Sequence, residues 1–131
     1  MAVLTQEMKD MIAGFQCFIG TVGKDGIPNV APKRSTMVLD DNTLMFTEST
    51  GGATYRNILD GSKVAVAVVN RDVLDGYRFV GTAELQSSGP YFDKAAAASA
   101  KANFPVPKGI VLIHIEEIYS LKPSAPGRKI G

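Results

Sequence analysis

Two short polar stretches hold the side chains best suited to chemistry in this chain. Lys33-Arg34-Ser35-Thr36 sets two cations and two hydroxyls side by side. Glu48-Ser49-Thr50-Gly51-Gly52-Ala53-Thr54 is a polar, glycine-rich loop that leads into a helical sequence. Glycines let a backbone approach a ligand closely, and a helix start offers free N–H groups and a dipole that favours an anion. Thr50 and Thr54 add hydroxyl donors, although a loop of this composition also serves simply to turn and cap a chain. Adjacent residues in extended structure point to opposite faces, so one of Lys33 and Arg34 is expected to face inward. Were that cation to meet the loop, a monoester phosphate would find charge, hydroxyls and amides around it. The chemistry suggested is capture of a small phosphorylated ligand.

Other reactive combinations are thin. Cys17, the one cysteine, excludes an intramolecular disulfide and a multi-thiolate metal site. It reads as a small buried hydrophobe in a reduced compartment. As a nucleophile it would need a base, and the one histidine, His114, lies in the apolar run 110–115. The pairs Asp40-Asp41 and Glu116-Glu117 are the remaining carboxylate candidates for a metal, and a turn and a solvated strand end account for them. There is no Gly-x-Ser-x-Gly elbow, no phosphate loop ending in Gly-Lys-Ser/Thr and no Gly-x-Gly-x-x-Gly. No residue is assigned as a catalytic acid or base, and no metal is expected.

The elements that must position these stretches follow from hydrophobic periodicity. Two short helices and about six strands are expected, with a further helical stretch at 54–59. Residues 5–13 form the opening helix: Thr5 can cap it, Met8, Met11 and Ile12 share a face, and Gly14 ends it. Strands are expected at 15–22, from Pro28 onward with Pro32 as a limit, on through 35–39, and at 43–47. Asp25-Gly26 marks a hairpin between the first two. The run Val-Ala-Val-Ala-Val-Val at 64–69 suits a central strand covered on both faces. A long strand over 77–86, a helix from Gly89-Pro90 to about Ala102 and a last strand over 108–119 complete the pattern. The tail 122–131 is expected to be extended or loose.

Strands outnumber helices and the connections are hairpin-like, which favours a small closed barrel over a doubly wound sheet. A length of 131 residues allows one domain, 1–131, that buries roughly two thirds of its unfolded surface without staples. Fourteen basic against thirteen acidic side chains leave a net charge of +1, no footprint for nucleic acid or an anionic membrane. The longest uncharged stretch, 11–23, is too short to span a bilayer, and Glu7, Lys9 and Asp10 before it do not fit a signal peptide. A cytoplasmic protein is expected.

Five segments in order then resemble a known family. Gly-Ile-Pro-Asn-Val-Ala-Pro-Lys (26–33), Leu-Met-Phe-Thr (44–47), Gly-Gly-Ala-Thr-Tyr-Arg-Asn-Ile (51–58), Lys-Val-Ala-Val-Ala-Val-Val (63–69) and Gly-Tyr-Arg-Phe-Val-Gly-Thr-Ala-Glu (76–84) are similar to the pyridoxamine 5'-phosphate oxidase-like, FMN-binding split-barrel proteins. Each segment is degenerate alone; their order and spacing, from about Leu4 to Leu121, make the signal specific.

The resemblance implies a mainly β fold, a six-stranded antiparallel split barrel, and a homodimer with FMN between subunits. Lys33 falls where the family usually has an arginine on the FMN phosphate. Arg34, Ser35 and Thr36 fall on the strand lining the isoalloxazine edge, and Phe46 and Thr47 on contacts at the end of the next strand. Gly51 and Gly52 belong to the phosphate turn. Ala53 and Thr54 stand where the oxidases proper carry an Arg-Lys pair; small FMN-binding members have a threonine at the position of Thr54. The C-terminal arginine and histidine segment that grips pyridoxal phosphate is also unmatched. The implied function is a flavoprotein, an oxidoreductase or electron carrier with a small-molecule or protein electron donor, and not a true pyridoxamine phosphate oxidase. The alternatives are a non-catalytic FMN-binding or sensing module, or a binder of pyridoxal phosphate or a deazaflavin on the same fold.

Overall fold

The computed structural model describes residues 2–131. Ten elements follow in order: α1 (Gln6–Gly14), β1 (Cys17–Val22), β2 (Pro28–Pro32), β3 (Met37–Asp40), β4 (Thr43–Glu48), α2 (Ala53–Leu59), β5 (Val64–Asn70), β6 (Asp75–Gln86), α3 (Pro90–Lys101) and β7 (Gly109–Ser120). Local chemistry explains the boundaries. Thr5 Oγ1 accepts the Met8 N–H at 3.3 Å and the Met8 sulfur accepts the Thr5 N–H at 3.4 Å, which closes a capping box on α1. Met8 and Ile12, one turn apart, go into the core.

The strands form one antiparallel sheet in the order β2-β1-β5-β6-β7-β4-β3. Its two end strands, β2 and β3, are consecutive in the chain, so the sheet curls back on itself as a split barrel. There are seven strands where six were expected, because the second one is broken at 33–36. There the Thr36 N–H and Oγ1 both donate to the Lys33 carbonyl, at 3.1 and 2.7 Å, and ladder pairing stops. Lys33 and Arg34 therefore sit on a turn and not on opposite faces of a strand.

Ile19, Leu44, Phe46, Val66, Phe79 and Ile113 fill the interior. The first half of β7 is covered on both faces, with 109–113 all buried, while His114 and Glu116 beyond it face solvent. β5 departs from expectation. Val64, Val66 and Val68 point into the core, but Ala65 and Ala67 stay half-open and Val69 is exposed. Its outer face is open, and so are Phe18 and Val22 on β1 and Val30 on β2. Gly81, at a bulge in β6, permits a close crossing: a Cβ there would lie 2.1 Å from the His114 carbonyl oxygen. The tail turns back along β7, with Ser120 N–H on Arg128 O at 2.7 Å and Ile130 N–H on Ile118 O at 2.8 Å. Among the described residues, no helix is long and apolar enough to cross a membrane.

Candidate functional site

The strand register brings the two polar stretches together. β3 pairs with β4 from Met37↔Met45, so the next outward positions, Ser35 and Thr47, face each other. The Ser35 hydroxyl accepts the Thr47 N–H at 2.9 Å. Lys33, Arg34, Ser35 and Thr47, with Ser49 and Thr50, form one wall of a cavity of about 380 Å³. The other wall is α3, through Ala95, Ala98, Ser99 and Ala102, and the ring of Phe104 just beyond it.

A buried ion pair organises the strand wall. Glu48 is fully buried, and its Oε2 accepts from the Thr50 N–H at 3.0 Å, the Thr50 hydroxyl at 3.1 Å and the Gly51 N–H at 3.0 Å. The Lys33 ammonium, only 11% exposed, stands 3.0 Å from Oε1. Among the described residues, Lys33 is the one partner of that oxygen. Burial would raise the Glu48 carboxyl, but the Gly51 N–H, Lys33 and Thr50 outweigh it and hold the group below its ordinary value. The turn amides expected to meet a ligand's anion thus bind the chain's own carboxylate, and Lys33 is already compensated. Arg34 has no ion pair or hydrogen bond among the described residues and borders three cavities. It carries the wall's available charge.

The remaining expected residues divide. Thr36 is buried, with its hydroxyl on the Lys33 carbonyl. Phe46 is a core side chain with Lys33 Nζ 5.7 Å from its ring centre. Gly52 precedes α2, and Ala53 lines a separate cavity with Asn29, Arg56 and Asn57. Thr54 is buried and its Oγ1 accepts from Asn29 Nδ2 at 3.1 Å. Of the ten residues matched to a cofactor, Lys33, Arg34, Ser35 and Thr47 share the groove.

Sequence reasoning gave no role to Glu48 and Asn29, though both stand in the segments it singled out, and it missed Phe104 and Lys108 as parts of this region. The Lys108 stem crosses Gly51, where an added Cβ would meet its Cε at 2.4 Å, and Gly51 itself takes φ +69°. Only the β4–β7 pairing, Glu48↔Gly109, brings Lys108 to the loop, and no local pattern announces it. Cys17 and His114 are not a nucleophile and base: they lie on β1 and β7 with β5 and β6 between. Burial pushes the Cys17 thiol up to about 11, and His114 Nε2 pairs with Glu84 at 2.8 Å. The carboxylate pairs hold local structure: Asp40 accepts the Asn42 N–H, Asp41 pairs with Lys9, Glu116 with Lys63 and Glu117 with Lys129.

An uncharacterized protein of Methanocaldococcus jannaschii, MJ0282, is 38% identical over 131 residues, 97% of this chain and 87% of that protein. HupZ of Group A Streptococcus is 42% identical in a crystal structure that superposes with a TM-score of 0.87 over 98% of this chain and 99% of the other. An FMN-binding protein from Syntrophomonas wolfei superposes with a TM-score of 0.74 over 88% and 84% of the two chains; at 21% identity that likeness is one of fold. The family model for pyridoxamine 5'-phosphate oxidase matches residues 4–122, nearly the whole curled sheet with its groove, and the chain belongs to that family of FMN-binding-type split barrels.

Proposed function

We propose that this protein is a cytoplasmic FMN-binding flavoprotein, an oxidoreductase or electron carrier, that works as a homodimer. The observation that carries the reading is the groove: Thr47 and the stretch Lys33-Arg34-Ser35, far apart in sequence and both matched to the cofactor by the resemblance, line one cavity. The donor set fits an anionic ligand. Lys33 and Glu48 cancel, while Arg34 and Lys108 have no ion-pair partner among the described residues. The phosphate end is assigned beside the loop, to Ser49 and the Lys108 ammonium, since Glu48 holds the Thr50 and Gly51 amides and Lys33, and the ring end to the wall of Ser35, Thr47 and the Arg34 backbone. FMN, when bound, would take up and pass on electrons. The chain's own residues hold the anion, orient the ring edge through hydroxyls and amides, and exclude water on one side.

The dimer reading rests on the open sheet face. The register sets Phe18, Gly20 and Val22 of β1 between Pro32, Val30 and Pro28 of β2 and Ala67 and Ala65 of β5. These positions are uncharged, with Lys63 and Arg78 at their border, and Val30 is 68% exposed. A second copy laid there would cover it and close the ligand's wet side. A compact anion site at the loop, with no second glycine-rich loop for a pyrophosphate-linked adenosine, favours FMN over FAD and over riboflavin. Fluorescence-quenching titrations with all three flavins test this; equal affinity for riboflavin and FMN would sink it.

A further inference from the structure

We infer that the α3 wall of the groove is a second subsite, built for a flat aromatic acid: the ring lies against Ala98 and Phe104 and the acid group meets Arg34. The inference rests on the flavoprotein reading only in naming this occupant the redox substrate.

The placement of Phe104 comes first. α3 ends in a Schellman motif: Asn103 takes φ +59°, its N–H reaches Ala100 O at 3.2 Å, and the Phe104 N–H reaches Ser99 O at 2.8 Å. An apolar residue at that position ordinarily packs onto the last turn of the helix. Here the cap fixes the Phe104 backbone, and its side chain stays 58% exposed while lining the cavity beside Ala98 and Ser99. A ring held at a groove lip without a cover is a stacking surface for another ring.

The charges of the groove lie all on one side. The charged side chains of α3, Asp93, Lys94 and Lys101, are absent from its lining, and the α3 wall offers alanines and one serine. A phosphate ester would find no cation there. Arg34, on the opposite wall, is unpaired, whereas Lys33 is compensated by Glu48. A guanidinium grips a carboxylate or sulfonate through two parallel N–H donors. One planar apolar body with one acidic edge satisfies both walls.

The test is calorimetric titration of the FMN-loaded protein with naphthalene-2-sulfonate, cyclohexanesulfonate and 2-naphthol. The first should bind at a single site per chain and the other two at least tenfold more weakly, since each lacks one of the two features. Phe104→Ala and Arg34→Ala should each weaken naphthalene-2-sulfonate about tenfold. Ala98→Leu, which narrows the slot and keeps helix propensity, should weaken it further. α3 has no buried residue and Phe104 is exposed, so the α3-side variants fold, and unchanged melting temperatures verify it. Equal binding of the planar and non-planar sulfonates, or indifference to both Phe104→Ala and Arg34→Ala, overturns the inference. So does mutual displacement of FMN and the probe, because the groove would then be the flavin's own. If the protein takes up no flavin, the flavoprotein reading fails by itself. The same variant pattern measured on the protein as isolated then decides whether the subsite stands.

Discussion

The Lys33–Glu48 pair gives a worked test of how the groove is built. Lys33→Met keeps the stem and removes the charge, leaving a fully buried carboxylate with three donors and no cation. Removing one partner of a buried pair costs about 3–5 kcal/mol. The three donors that remain place this variant near the lower end, about 3 kcal/mol. At about 2.1 cal/mol/K per residue, unfolding 131 residues carries an entropy of roughly 0.28 kcal/mol/K, so the melting midpoint should fall by about 11 °C. Glu48→Gln preserves the shape and an acceptor for the turn, and it leaves Lys33 free to reach solvent, for a cost of about 1–2 kcal/mol. The double variant should lose less than the two together by at least about 1 kcal/mol. The pH dependence has a definite sign. A carboxyl lowered on folding stabilises above its unfolded value, about 4.3, and that contribution fades as pH falls through the lowered native value. The gap between the parent and Glu48→Gln should therefore be flat from about pH 6 to 8 and close below about pH 4. Circular-dichroism melts of the four proteins at one protein concentration supply the cycle. A loss under about 1 kcal/mol for Lys33→Met, or strict additivity in the double variant, would show that the two side chains are not a coupled buried pair.

Four further outcomes follow from the same geometry. Lys33→Met should weaken FMN by about one to two orders of magnitude, because the uncovered Glu48 charge repels the phosphate, with riboflavin nearly unaffected in parallel quenching titrations. Thr54→Val removes the acceptor for buried Asn29 and should lower stability by about 1–2 kcal/mol while FMN affinity holds, read from melts and titrations together. Gly51→Ala forces a side chain into left-handed backbone and against the Lys108 stem; a loss of about 1–2 kcal/mol is expected in denaturant midpoints, and no loss would contradict the turn geometry. Val30→Lys on the open sheet face should convert the proposed dimer to monomer by sedimentation equilibrium, and a parent sedimenting at 13.9 kDa would contradict the dimer.

Most of the fold was legible because its signals are local. Thr5 with Met8, Asp25-Gly26, Gly89-Pro90 and the alternation over 77–86 each fix an element from a few neighbouring residues. The break at 33–36 was not, since Thr36 competes for the Lys33 carbonyl only once Pro32 has ended the ladder. The run at 64–69 looked doubly covered because valine and alanine suit a buried strand and an open apolar face equally well. At the site, the polar stretches were visible but their mutual charge was not. Glu48 sits fifteen positions from Lys33, and only the curl of the sheet makes them partners. Lys108 enters for the same reason, through the β4–β7 pairing that no short window contains, whereas Phe104 is set by the local cap that ends α3.

The most direct measurement is the visible spectrum of the protein as isolated, followed by the mass of whatever heat releases. An FMN-binding protein should show the paired absorption bands of an oxidised flavin and release a compound with the mass of FMN. A colourless protein that stays colourless on incubation with FMN, or a released compound with the mass of pyridoxal phosphate or of a deazaflavin, would contradict FMN binding.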